Sequence, residues 1–281
     1  MSAFQSAPAK VNLILRVGTR SGAGLHDLCS LFASLELADR VRLEPAPEGR
    51  DSVRCPGVPG ENLAASALSA FRDAAPEAPL EPLRITIEKA IPVAAGLGGG
   101  SADAAAVLRG ANEMAGGPLD HRALLALAAR LGSDVPSQLL PAHAIVRGSG
   151  QLVEPVRLPV LHIVLVPDER GLSTADVYRE LDRLREDGEA PPPGSLDPAP
   201  LRDLADRGIS ALAAGLENDL EVAALSLRPE LIGCLTALRD RRALAALLTG
   251  SGPTAFGLFT DERSAEEAAR ELPGAIATRT R

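Results

Sequence analysis

Four glycines crowd into five residues, Gly96, Gly98, Gly99 and Gly100, just ahead of an Ala-rich stretch that opens at Ser101 and Ala102. Such bare backbone lets several N–H groups approach phosphate oxygens, and the positive end of a following helix favours the negative charge. The spacing fits neither of two common phosphate loops. No Lys closes the run, as a Gly-Lys-Ser/Thr loop requires, and Ser101 stands where a dinucleotide fingerprint needs Gly. A plain flexible turn is the other reading of these glycines. Ser101 could cap the helix or ligate a metal, capping being the simpler role.

The cations make a second signal. Of 29 basic residues, only Lys10 and Lys89 are lysines; the rest are arginines. Where almost every cation is Arg, a retained Lys is a candidate for work as a compact point charge on a phosphate or hydroxyl. Lys10 and Asn12 share one face of an alternating segment whose other face carries Val11, Leu13, Leu15 and Val17. That pattern is a strand showing two polar groups in one direction. Asp134, ahead of Val135-Pro136, reads locally as a helix N-cap with Pro in the first turn.

The elements that must position these residues are legible from period and punctuation. Strands are expected at 9–17, 39–44, 83–88, near 143–147, at 161–166, near 244–248 and up to Phe259, with one closing the chain. Helices are expected at roughly 101–115, stopped by Gly116-Gly117-Pro118, at 121–131, stopped by Gly132, from Ser173 to about Arg185, at about 229–239 and at 262–271. A loop starts at Pro191 and runs to about Pro200. The mixture predicts α+β domains rather than a doubly wound sheet. At 281 residues two domains are expected, and Leu158-Pro159-Val160 is the best boundary, giving 1–158 and 159–281.

Composition narrows the partners. The net charge of −8 and the lack of basic runs speak against nucleic acid and membrane surfaces, and an anionic partner would need local help from helix N-termini or a few placed cations. Cys29, Cys55 and Cys234 form no CxxC pair, which argues against a disulfide framework or zinc site and fits a reducing cytoplasm. No secretory signal is expected, and the longest apolar run, Leu158 to Pro167, is too short to span a bilayer.

Three segments carry a family resemblance. Pro92-Val93-Ala94-Ala95-Gly96-Leu97-Gly98-Gly99-Gly100-Ser101-Ala102 resembles the ATP-binding motif of the galactokinase, homoserine kinase, mevalonate kinase and phosphomevalonate kinase (GHMP) superfamily. Ala7-Pro8-Ala9-Lys10-Val11-Asn12-Leu13 resembles its N-terminal motif, and Leu248-Thr249-Gly250-Ser251-Gly252-Pro253-Thr254 its C-terminal glycine motif. The triple Gly, the His26–Phe32 segment, Gly132-Ser133-Asp134, Ser173-Thr174-Ala175 and Asn218-Asp219-Leu220-Glu221 are similar to the branch acting on a cytidine-diphosphate-linked alcohol.

The resemblance implies a two-domain α+β fold. The N-terminal domain would be like domain 2 of ribosomal protein S5, and the C-terminal one ferredoxin-like. It implies ATP and Mg²⁺ as cofactors and transfer of the γ-phosphoryl to a hydroxyl. Asp134 would be the base and Lys10 would sit beside it, favouring the carboxylate form and the developing alkoxide. ATP would lie on Pro92 to Ala102, with Ser101 a weak candidate for the metal. Asn12, Leu25, His26, Tyr178, Gly250, Ser251 and Gly252 would face the substrate. Here the chain departs from the family: Leu25 stands where a Tyr stacks on cytosine, leaving His26 at the base edge and Tyr178 as the second wall. The other histidines, His121, His143 and His162, read as structural. Competing readings are a homoserine or mevalonate kinase, a nucleotide-binding sensor without catalysis, and a structural protein that binds no ATP.

Overall fold

The first two elements are long strands, β1 (Ala3–Arg20) and β2 (His26–Pro45). The structure is a computed structural model that describes residues 2–20, 24–58, 62–168 and 170–281. The chain divides into two compact units that are interleaved in sequence. The first holds Met1–Ala9, Leu37–Val93 and Gly98–Pro141; the second holds Lys10–Glu36, Ala94–Leu97 and Ala142–Arg281.

In the first unit the C-terminal half of β2 pairs antiparallel with β4 (Leu83–Glu88), and β3 (Ser52–Arg54) pairs parallel with β4. Leu83, Ile85 and Ile87 alternate into the core, as the period of two requires. Helices α1 (Leu63–Ala74), α2 (Gly99–Met114), α3 (His121–Leu131) and α4 (Val135–Leu139) complete the unit. The buried face of α2 is mostly Ala102, Ala104, Ala105, Ala106 and Val107, small side chains that let a helix lie close to its neighbours. Phe71 of α1 is the one aromatic among the buried residues of this core, which is otherwise aliphatic.

In the second unit the N-terminal half of β2 pairs with β5 (Ala144–Gly148), which pairs with β6 (Leu152–Pro155). A separate antiparallel sheet has the order β11 (Ile276–Arg279), β7 (His162–Val166), β10 (Ala255–Phe259), β9 (Ala245–Leu248). The two-residue strand β8 (Glu217–Asn218) adds in parallel to β1 through Ile14 and Leu15. Helices α5 (Thr174–Glu186), α6 (Ala199–Ala205), α7 (Ile209–Ala214), α8 (Glu221–Leu227), α9 (Ile232–Asp240) and α10 (Glu262–Glu271) belong here. A 3-10 turn, Pro229–Leu231, leads into α9.

The α+β character expected from the sequence is present, with mainly antiparallel pairing. Helix ends follow local chemistry: Asp120 caps α3 through the Ala123 N–H at 2.8 Å, and Asp261 caps α10 through the Ser264 N–H at 2.8 Å. The expected strand at 9–17 is longer than its alternation, because residues 7–15 are buried on both faces. Helix α1 escaped the sequence reading, although Asn62, accepting from the Ala64 N–H at 2.9 Å, is a recognisable cap ahead of an apolar face.

Candidate active site

Within the second unit the shared face of β1 does what its alternation promised. Lys10 and Asn12 are both buried, 5% and 2% exposed, so their polar groups must be satisfied internally. Lys10 Nζ donates to Asn12 Oδ1 at 2.8 Å and lies 4.9 Å from the centre of the Phe32 ring. Asn12 Nδ2 donates to Ser30 Oγ at 2.9 Å, and Ser30 in turn donates to the Ile14 carbonyl. The Asn12 N–H donates to Thr249 Oγ1 at 3.0 Å. The amide is therefore fixed with its oxygen toward the Lys10 ammonium.

The C-terminal glycine loop lies against this pair. A Cβ on Gly250 would sit 3.4 Å from Asn12 Oδ1 and 3.7 Å from Lys10 Nζ. Asn218 Nδ2 holds the loop by donating to the Leu248 and Gly250 carbonyls, each at 2.8 Å. Glu221 accepts from the Leu248 N–H at 2.7 Å, and burial raises its carboxyl above the ordinary range despite that bond. Ser251 Oγ lies 2.9 Å from Thr174 Oγ1. Ala94–Leu97 belongs to the same unit, and the Leu97 carbonyl accepts from the Lys10 N–H at 3.0 Å. Lys10, Asn12, Gly96, Gly250, Ser251 and Gly252 are thus brought together. Ser30, Thr174, Asn218, Thr249 and Glu221, which hold them, were not singled out from the sequence as site residues. All five lie in segments quoted for the family resemblance, which was the available signal.

In the first unit, Gly98 is the N-cap of α2 at φ 73°, a left-handed conformation that favours glycine. No side chain caps this end, and the Gly98 carbonyl accepts from the Ala102 N–H at 2.9 Å. The leading N–H groups of a helix have no partner within it, which is the arrangement an anion requires. The helix begins at Gly99, so Ser101 lies in its first turn. The expectation that Ser101 caps the helix is corrected: the left-handed Gly98 starts the helix two residues earlier. Pro92, Val93 and Gly98–Ala102 belong to the first unit. Val93 is exposed, while Ala95 and Leu97 are buried.

Asp134 occupies the N-cap position of α4, but its side chain makes no capping hydrogen bond. Its backbone carbonyl accepts from Ser137 Oγ at 2.8 Å instead. Capping, the local reading of this carboxylate, is not what its side chain does.

A third group gathers on α5 in the second unit. His26 Nε2 lies 2.7 Å from Asp182 Oδ1, and the His26 and Tyr178 rings face each other at 5.0 Å with a 36° tilt. Tyr178 and Asp182 are four residues apart, hence on one helix face. An ionised carboxylate only accepts, so Nε2 carries the proton. Leu25 is 56% exposed. Asp182 was missed by sequence reasoning; its i+4 spacing from Tyr178 was the signal. His143 is structural, as expected: its Nδ1 accepts from the Ser34 N–H at 3.1 Å, and burial lowers its pKa.

Among the described residues, no group of three or more His, Cys, Asp or Glu could hold a metal ion, and no helix is long and apolar enough to cross a membrane. Ser101 remains a single neutral oxygen donor. That fits a Mg²⁺ ion that arrives with nucleotide phosphates and keeps several waters, not one in a protein cage.

Two glycine loops, one beside a buried lysine and one opening a helix, together with this fold define a GHMP kinase. The family models for the GHMP kinases N terminal domain and GHMP kinases C terminal match residues 62–141 and 201–277. The chain is 44% identical to the 4-diphosphocytidyl-2-C-methyl-D-erythritol kinase of Nocardia farcinica, over 98% of this chain and 90% of that protein. It is 42% identical to the enzyme of the same name from Streptomyces coelicolor, over 97% of this chain and 92% of that one. A crystal structure of 4-(cytidine 5'-diphospho)-2C-methyl-D-erythritol kinase superposes with a TM-score of 0.81 at 37% identity, covering 99% of this chain and 100% of that one. The chain belongs to the 4-diphosphocytidyl-2-C-methyl-D-erythritol kinase family. It is a small-molecule kinase that uses ATP.

Proposed function

We propose that this chain transfers the γ-phosphoryl group of ATP to the 2-hydroxyl of 4-diphosphocytidyl-2-C-methyl-D-erythritol, a step of non-mevalonate isoprenoid precursor synthesis. The observation that carries this reading is the setting of Lys10, a buried ammonium aligned by Asn12 beside the loop at Gly250. A binding module has no need of such a charge. The identity of the alcohol rests on the names of the relatives.

Phosphoryl transfer requires alignment, charge neutralisation and orientation of the attacking oxygen. In this reading Asp134 accepts the hydroxyl proton and Lys10 stabilises the developing alkoxide. The N–H groups at the start of α2, with Pro92 to Ala102, hold the ATP phosphates. Ser101 would reach a magnesium ion carried with ATP, which when bound would neutralise phosphate charge. Asn12, Gly250, Ser251 and Gly252 line the alcohol. His26 reads the base edge of cytosine, Tyr178 covers one base face and Leu25 the other. The acidic charge of the chain speaks against a nucleic-acid partner. The separated free cysteines support a reducing, cytoplasmic setting. The two compact units are interleaved, and the residues on both sides of 158/159 belong to the second, so the division into 1–158 and 159–281 marks only where the chain leaves β6 for β7 of the four-stranded sheet.

A coupled assay of ADP release tests the proposal, with cytidine- and uridine-diphospho alcohols, homoserine and mevalonate as acceptors. ADP release that depends on the cytidine compound is expected. Release with homoserine or mevalonate instead, or ATP binding with no acceptor turned over, would overturn it.

A further inference from the structure

Lys89, the other lysine of the chain, has no part in the chemistry above. It follows β4 directly and is enclosed by two buried carboxylates. Its Nζ lies 2.5 Å from Asp39 Oδ2 and 2.9 Å from Asp103 Oδ2. Asp39 is fully buried and Asp103 is 2% exposed. The second oxygen of Asp39 accepts the N–H groups of Ala90 and Ile91 at 2.7 and 2.8 Å. Asp39 therefore grips the backbone where it leads into the glycine run. Asp103 lies on α2, where the chain leaves that run, and the Lys89 ammonium joins the two.

The cluster sits against the first residue of α2. A Cβ on Gly99 would be 3.2 Å from Lys89 Nζ and 3.4 Å from Asp39 Oδ2. A compact ammonium fits this space, whereas a planar guanidinium is larger and needs a fork of acceptors. That accounts for a Lys at this position in a chain that otherwise writes its cations as Arg. Two carboxylates share one ammonium, so the cluster carries excess negative charge when both are ionised. Asp103 Oδ1 has no hydrogen-bond partner among the described residues. Burial raises the Asp103 carboxyl to about 7 against the pull of Lys89. Buried charge on this scale is costly to assemble and strongly destabilising when one partner is removed. Its place at both ends of a glycine run, whose backbone has the most freedom to lose, gives it a task.

We propose that Asp39, Lys89 and Asp103 form a buried charged brace that clamps both ends of the glycine run and so pre-forms the nucleotide site. They are positioning residues for ATP, and this inference rests on the reading of Pro92 to Ala102 as the ATP loop.

The test uses the full chain as Lys89→Met and Asp103→Asn variants. Amide hydrogen exchange is followed without nucleotide, and KM for ATP, KM for the alcohol and kcat are measured separately. In Lys89→Met, faster exchange confined to about residues 90–102 is expected, with KM for ATP up about tenfold, kcat within about threefold and KM for the alcohol unchanged. Asp103→Asn keeps an acceptor for the ammonium, and a rise of about threefold in KM for ATP is expected. The double variant is expected to be no worse than Lys89→Met, because one interaction is lost once. A cooperatively folded Lys89→Met protein with wild-type exchange, or with loosened exchange and unchanged KM for ATP, overturns the brace. Should Lys89→Met fail to fold, unchanged exchange and KM for ATP in Asp103→Asn overturn it. A wild type that binds no ATP would remove the parent reading instead, while the exchange comparison would still decide whether the clamp exists.

Discussion

Gly96 packs its backbone onto the Gly252 carbonyl so closely that a Cβ there would lie 2.5 Å from the oxygen. Gly96 also has φ 74°, which side chains other than hydrogen rarely adopt. Both facts make Gly96→Ala costly. The backbone conformation alone is worth about 1 kcal/mol or more, and the collision must displace the loop that lies beside Lys10. A lower thermal midpoint and a loss of kcat/KM of about tenfold or more are expected. Unfolding and initial-rate measurements check this, and a variant with wild-type values would show that the two loops need no such fit.

Asp134 makes no capping bond from its side chain, so removing its carboxylate leaves α4 without a lost cap. Asp134→Ala is expected to lower kcat by about 10²-fold or more, the ordinary range for a general base, with ATP affinity nearly unchanged. Turnover near the wild-type rate would remove Asp134 from the chemistry.

Leu25 is exposed and stands beside His26, whose ring already faces Tyr178. Base–aromatic stacking contributes roughly 1–3 kcal/mol, more than an aliphatic cover provides. Leu25→Tyr is expected to lower KM for the cytidine substrate by about fivefold or more, with kcat little changed. A higher or unaltered KM would show that the aliphatic wall already serves, or that the base lies elsewhere.

Asp103 should leave a mark on stability as pH changes. Its folded-state value of about 7 lies above the ordinary 3.8. Below 3.8 both folded and unfolded forms hold the proton and the group contributes no difference. Between these values the unfolded chain has released a proton that the folded one retains, so stability falls as pH rises through this window. Lys89 is shifted upward too, but from 10.5, so it titrates well above this range. Asp103→Asn removes the penalty, and its thermal midpoint is expected to gain on the wild type between about pH 4 and 7.5. A constant difference between the two proteins across that range would contradict the assignment.

Much of this architecture is legible without coordinates. The alternation of β4, the Asp120 cap and Gly132 stop of α3, and the bounds of α10 are local matters, decided within one or two turns of chain. The same holds for the glycine run, since an unburdened backbone ahead of a helix has few uses. Ser101 was misread because the left-handed turn at Gly98 starts the helix earlier than any capping side chain would. Asp182 and Asn218 went unassigned because their roles depend on partners far along the chain, His26 and Leu248.

The sequence by itself determined helices α2, α3, α5, α9 and α10, strands such as β4 and β7, the two glycine motifs, the rarity of lysine and the kinase resemblance, because period, capping and residue type act over short distances. Tertiary structure alone decided what each polar group touches. The Asn12 N–H meets Thr249 across 237 residues, and Lys89 finds Asp39 across 50. Such bonds exist only after the core has closed, when buried polar atoms must take whichever partners the packing brings within reach.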